Sequence, residues 1–232
     1  SAVAHSRELE RILAIPEHPG YSPEAREELE QALRKPAGTM RLRPAQADAL
    51  LGALEGMSDG CAIFAPLQVG AGKSLLAALL PTVLGCSRAL ILTTAALEPQ
   101  MRKLIREYSA HWQIHPRIKV MSYSLLSTAG HVHFLDNYKP DIVIADEAHC
   151  LRQPKSARTR RVMRYLKAYS KVFFAPLSGT MTKDSIKDHA HLLRQALKDW
   201  APVPRDRQTL IEWSEALDPE PVREAGALMR LP

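Results

Sequence analysis

The chain has 232 residues, 46% hydrophobic and 24% charged, with 31 Lys and Arg against 25 Asp and Glu, a formal net charge of +6. That length holds one large domain with an ample core. No window is apolar enough to span a bilayer, and residues 1–10 lack the basic start and apolar run of a secretory signal. Three widely spaced cysteines, Cys61, Cys86 and Cys150, argue against a disulfide framework and for a reducing, cytoplasmic or nuclear setting. The positive balance permits a polyanionic partner without requiring one.

In chain order, residues 1–36 read as a charged N-terminal helical extension. One helix is predicted over residues 8–15 and another over 23–34, the latter with Ser22 as N-cap and Pro23 in its first turn. Met40-Arg41-Leu42-Arg43-Pro44-Ala45-Gln46 opens a helix whose apolar face continues through Ala49, Leu50, Ala53 and Leu54. Residues 61–65 predict a strand, and a helix follows from Lys73 to Leu84, closed by Gly85. Further strands are expected over 88–94, 117–122, 141–145 and 171–176, with a helix over 96–108 after the first of these. Strands alternating with helices at this spacing predict an α/β fold, a mainly parallel central sheet covered by helices on both faces. Residues 37–200 form the domain on this reading. Residues 201–232, rich in Pro and charge, read as a linker or the start of a further part, with helical pieces over 208–217 and 221–230.

Two motifs carry chemistry. Between the 61–65 strand and its helix lies Gly70-Ala71-Gly72-Lys73-Ser74, where glycines let backbone N–H groups turn inward as an anion nest at a helix N-terminus. Lys73 would reach the β- and γ-phosphates of a nucleotide, and the Ser74 hydroxyl would take one position on Mg²⁺. Leu67 stands where the full phosphate-loop pattern asks for Gly. The plainer alternative is a glycine-rich turn before a helix. At the end of the 141–145 strand stand Asp146-Glu147-Ala148-His149, at the sheet edge where ligands gather in parallel folds. Asp146 would hold the Mg²⁺ and Glu147 would orient or deprotonate an attacking water, which makes Lys73, Asp146 and Glu147 the catalytic candidates.

These blocks, in this order, resemble the first motor domain of superfamily-two helicases and translocases, a RecA-like P-loop NTPase fold, over residues 40–195. Arg43-Pro44-Ala45-Gln46 resembles the family's adenine-reading glutamine block, so the resemblance implies that Arg43, Gln46, residues 70–74 and His149 bind ATP. Asp146 to His149 reads as a DEAH box, with His149 linking the nucleotide site to the coupling block Ser178-Gly179-Thr180. Thr93 to Leu97 resembles the block touching the nucleic-acid backbone, which implies contacts at Thr94 and Ala95. Ser122 to Leu126, the basic stretch after the DEAH box and Ser-Gly-Thr resemble the Swi/Snf-like branch, implying double-stranded DNA as partner. Met181 and Gln153-Pro154 depart from that branch's pattern.

No acidic residue lies between Glu147 and Asp184, while nine Lys and Arg do. Arg158, Arg161 and Arg164 recur at i, i+3 spacing and would line one helix face toward a duplex, with Val162, Leu166 and Tyr169 inward. The alternative is a solvated basic face. Paired histidines lack metal-site spacing, and Trp112, Tyr123, Tyr138 and Tyr165 read as core. The leading expectation is the ATP-binding motor domain of a nucleic-acid-dependent ATPase. The alternative is a nucleotide-gated DNA- or protein-binding module with little hydrolysis; a small-molecule kinase would need neither the glutamine block nor Ser-Gly-Thr. The resemblance further implies a second RecA-like domain supplying catalytic arginines. Arg194, Arg205, Arg207, Arg223 and Arg230 match none of its motifs, so the chain is expected to be a fragment or one half of a split motor, binding ATP weakly, hydrolysing it very slowly and not translocating.

Overall fold

The computed structural model describes residues 7–15, 20–63, 72–179 and 185–217. Four five-residue strands, β1 (Ala89–Thr93), β2 (Ile118–Ser122), β3 (Ile142–Asp146) and β4 (Phe173–Leu177), form one parallel sheet in the order β2-β1-β3-β4. The chain leaves β1 toward one side and then returns to its other side. That reversal opens a crevice beyond the C-terminal ends of β1 and β3, where doubly wound sheets place their ligands.

Strand side chains alternate between two cores, as the two-residue period dictates. Ala89, Ile91, Ile142, Ile144 and Ala175 pack with α3 (Pro44–Gly56) and α4 (Lys73–Val83), and Met101 of α5 (Glu98–Tyr108) joins them. Leu90, Leu92, Val143, Ala145 and Phe174 face the opposite way. They meet α6 (Tyr123–Ser127), α7 (Phe134–Tyr138), α8 (Ala157–Ala168) and α9 (Ile186–Leu197). Trp112, Tyr123 and Tyr165 are buried and Tyr138 is half-buried. The described part of the strand expected at 61–65, Cys61–Ile63, joins no ladder, and the rest lies outside the described residues.

Both flanks of the domain pack onto it. α2 (Pro23–Leu33) starts at Ser22, whose Oγ accepts the Ala25 N–H, and it ends by inserting Leu33 into the first core. Arg34 bridges Trp112, and Gln113 N–H donates to Leu33 O. α1 (Arg7–Leu13) and α10 (Arg207–Leu217) lie at the other end. α10 packs on α9 through a small core of Ala190, Leu193, Ala201, Val203 and Leu210. Among the described residues, no helix is long and apolar enough to cross a membrane.

Candidate nucleotide site

The start of α4 is built around Gly72. Its φ is +82°, and a Cβ there would lie 2.1 Å from Gln46 Nε2. Glycine is therefore demanded by backbone conformation and by space. Its carbonyl accepts the Leu75 and Leu76 N–H groups of the helix and the Gln46 side-chain amide at 3.1 Å. Gln46, 4% exposed, also receives the Arg43 N–H on Oε1 at 2.9 Å. Both ends of the glutamine read as an adenine contact are thus bonded within the chain. They close the first turn of α3 in the manner of a capping box and tie it to Gly72 at the start of α4. Gly70 and Ala71 lie outside the described residues.

Across the crevice, Lys73 Nζ meets Glu147 Oε1 at 3.1 Å. Glu147 stands in the left-handed region (φ 55°, ψ 53°), a conformation costing a non-glycine residue about 1–2 kcal/mol. It turns the chain off β3 into a short 3₁₀ turn, Ala148–Leu151, and aims the carboxylate at α4. His149 Nδ1 lies 3.3 Å from Glu147 Oε2 but is not aligned for a hydrogen bond.

Asp146 ends β3 and is 6% exposed. Its Oδ2 accepts the Thr93 hydroxyl at 3.0 Å, and its backbone oxygen accepts the Tyr123 hydroxyl at 2.8 Å. Burial raises the pKa of its carboxyl from the ordinary value. The Thr93 bond opposes that rise, neighbouring Glu147 adds to it and Lys73 works against it. The roles of Thr93 and Tyr123 here escaped the sequence reading; a polar residue closing an apolar strand was the available signal. Ser74, half-buried, is the second residue of α4. A hydroxyl and a carboxylate are the oxygen donors a hard cation such as Mg²⁺ takes. Among the described residues, no three or more His, Cys, Asp and Glu gather as a metal centre. Two protein donors fit an ion held largely by substrate phosphates.

Leu177 pairs with Asp146 across the β3–β4 ladder, which puts buried Ser178 and half-buried Gly179 one step beyond the same edge. Thr180 lies outside the described residues. Thr94 is half-buried and Ala95 exposed at the turn leaving β1.

The three arginines of the basic helix all make bonds within the chain. Arg158 Nε donates to Cys150 O at 2.7 Å, Arg161 to the carbonyls of Leu126 and Thr128, and Arg164 pairs with Asp136 at 2.7 Å. These arginines staple α8 to the turn after Glu147 and to the segment around α6 and α7. Tyr165, not Tyr169, faces the core: α8 ends at Ala168, so the helical period stops short of Tyr169, which is 43% exposed.

Searched by sequence, the chain matches no known protein family and no curated protein. Its fold matches solved structures. One is the SWI2/SNF2 ATPase core of Sulfolobus solfataricus in complex with dsDNA, at a TM-score of 0.55 and 14% identity over 69% of this chain and 36% of that one. Another is the UvsW helicase of bacteriophage T4, at 0.53 and 18% over 79% of this chain and 67% of that one. The likeness shows the fold, an α/β RecA-like domain of the kind found in these two proteins.

Proposed function

We propose that this chain is the ATP-binding motor domain of a nucleic-acid-dependent ATPase of the Swi/Snf-like kind, acting on double-stranded DNA. The observation supporting it best is the convergence of Lys73, Glu147 and Thr93-bonded Asp146 at the sheet's reversal point. In this reading Lys73 leaves Glu147 for the β- and γ-phosphates, and Glu147, released, accepts a proton from the attacking water. Ser74 and Asp146 would hold Mg²⁺, which would supply charge neutralisation at the phosphates. Gln46 and Arg43 set the base-side rim, and Ser178, Gly179 and Thr180 couple the site to the nucleic acid. The solved SWI2/SNF2 core bound to dsDNA supports duplex DNA as partner. Thr94 and Ala95 then meet the nucleic-acid backbone, with exposed Arg160, Lys167 and Lys171 adding positive field.

ATP titration with and without Mg²⁺, followed by turnover with duplex DNA, single-stranded DNA and RNA, tests this. Mg²⁺-dependent binding abolished by Lys73→Ala, with turnover raised most by duplex, is the expected result. Binding that survives Lys73→Ala overturns the site. Tight binding with no turnover under any polymer replaces the motor with the nucleotide-gated module.

A further inference from the structure

We propose that Glu30, on α2 and outside every motif of the motor, is a positioning residue for the nucleotide site, acting on the phosphate-loop rim through Leu42 and Gln46. This rests on the ATP reading above. Glu30 is 7% exposed, and a carboxylate so buried is tolerated only when its charge is matched and its oxygens are bonded. Oε1 receives Arg34 Nη1 at 3.0 Å and Arg41 Nη1 at 2.6 Å. Oε2 receives the backbone N–H of Leu42 at 2.8 Å. Securing α2 alone would need only the Arg34 bond, one helical turn away.

The Leu42 bond does something else: it fixes the backbone one residue before Arg43. The Arg43 N–H goes to Gln46 Oε1, and Gln46 Nε2 goes to the Gly72 carbonyl that starts α4. A carboxylate on α2 is thus joined by three successive hydrogen bonds to the residue preceding Lys73. The far end of the relay is firmly held. Arg26 grips Asp48 of α3 through two bonds of 2.6 and 2.8 Å, Leu33 lies in the core, and Lys35 N–H donates to His111 O. A shift at Leu42 therefore reaches Gly72 and is not absorbed by movement of α2.

The test compares Glu30→Ala, the milder Glu30→Gln and Arg41→Ala in the full chain. The single amide oxygen left by Glu30→Gln cannot serve both the arginines and Leu42, so that variant acts in the same direction if Glu30→Ala fails to fold. Arg41→Ala keeps the Leu42 bond. Two readouts are taken well below the melting temperature: the ATP–Mg²⁺ Kd, and amide exchange at Leu75 and Leu76 in the nucleotide-free protein. We expect the Glu30 variants to raise Kd about tenfold, the order of one charge-assisted hydrogen bond. They should also speed exchange at Leu75 and Leu76 beyond any change in β1 and β3, while Arg41→Ala moves neither readout more than about twofold. A purely structural Glu30 would lower the melting temperature and leave both readouts in step with the wild type. Exchange at Leu75 and Leu76 that rises no more than in the strands overturns the relay, as does an unmoved Kd in a protein that binds ATP. If the wild type binds no ATP, or Lys73→Ala binds it equally, the ATP reading falls, and the exchange comparison still decides whether Glu30 sets the loop.

Discussion

Lys73 and Glu147 pair across 3.1 Å with side chains only 10% and 20% exposed, so on the proposed reading a phosphate would replace a partly desolvated ion pair. Glu147→Gln should then affect the two steps oppositely. The amide holds Lys73 less tightly, so ATP binds equally or a few-fold more tightly. Turnover falls by about 10²–10⁴-fold, the range associated with a lost general base. Isothermal titration alongside steady-state turnover checks both, and a weakened Kd would show that Glu147 binds nucleotide instead of activating water. Gly72→Ala should cost about 1–2 kcal/mol in strain from its positive φ, plus whatever displacing Gln46 costs. A denaturant melt reads the first term and ATP affinity the second. The residues that meet here were legible because a lysine after glycines and a carboxylate closing an apolar strand stand out in the sequence. The Thr93 hydroxyl on Asp146 was not: it depends on β1 lying beside β3, a pairing that spacing along one chain does not specify.

At the scale of elements, helix faces were legible where the period ran on and were misread where it stopped. Val162 and Leu166 are buried as their spacing implies, but Tyr169 falls beyond the last turn of α8. For the arginine row, i, i+3 spacing gives a face without saying what packs on it, and the bonds of Arg158, Arg161 and Arg164 to neighbouring segments were not legible in it. Arg161→Ala should therefore cost about 1–3 kcal/mol by stripping donors from the Leu126 and Thr128 carbonyls, whereas Arg160→Ala, exposed, should stay within about 0.5 kcal/mol. Urea midpoints for the two variants decide this. DNA affinity compared between the same two separates loss of fold from loss of phosphate contact.

α9 went unread, although Ile186, Ala190, Leu193 and Leu197 recur at helical spacing and Ser185 caps it through the Lys187 N–H. Its His191 carries a pH signature. Burial lowers its pKa below 6.5, with the Nε2 contact to Leu151 O opposing and nearby His189 adding to the shift. The unfolded chain therefore takes up this proton first as pH falls. Stability is full above 6.5, declines as pH drops through 6.5 toward the lowered folded value, and levels off below it. His191→Gln should be less stable at about pH 8 yet lose less on going to about pH 5.5, read as a flatter change in urea midpoint. A slope equal to the wild type would assign the effect to other groups.

For the molecule as a whole, the α/β layering followed from apolar strands alternating with helices, and the strand order is what converts it into a site. Only with β1 beside β3 do Thr93 and Asp146 end side by side. Nothing in local sequence announces how the flanks close on the domain, since those contacts join residues nearly the full chain apart. Arg11 donates to the carbonyls of Asp199, Ala201 and Val203, and Glu8 accepts the Arg205 N–H. This clasp sits over the small α9–α10 core and not over either face of the sheet. The two regions should open separately, because a unit with its own small core can loosen without disturbing a larger one. Arg11→Ala removes three backbone partners from one guanidinium, a local loss of about 1–3 kcal/mol. Amide exchange should accelerate through residues 199–217 while β1 and β3 keep wild-type protection. The ATP Kd should hold, because the relay from Glu30 enters the site from α2 and bypasses the clasp. Uniform acceleration across β1, β3 and residues 199–217 would mean that the clasp belongs to a single cooperative unit with the nucleotide site, and Arg11→Ala should then weaken ATP binding as well.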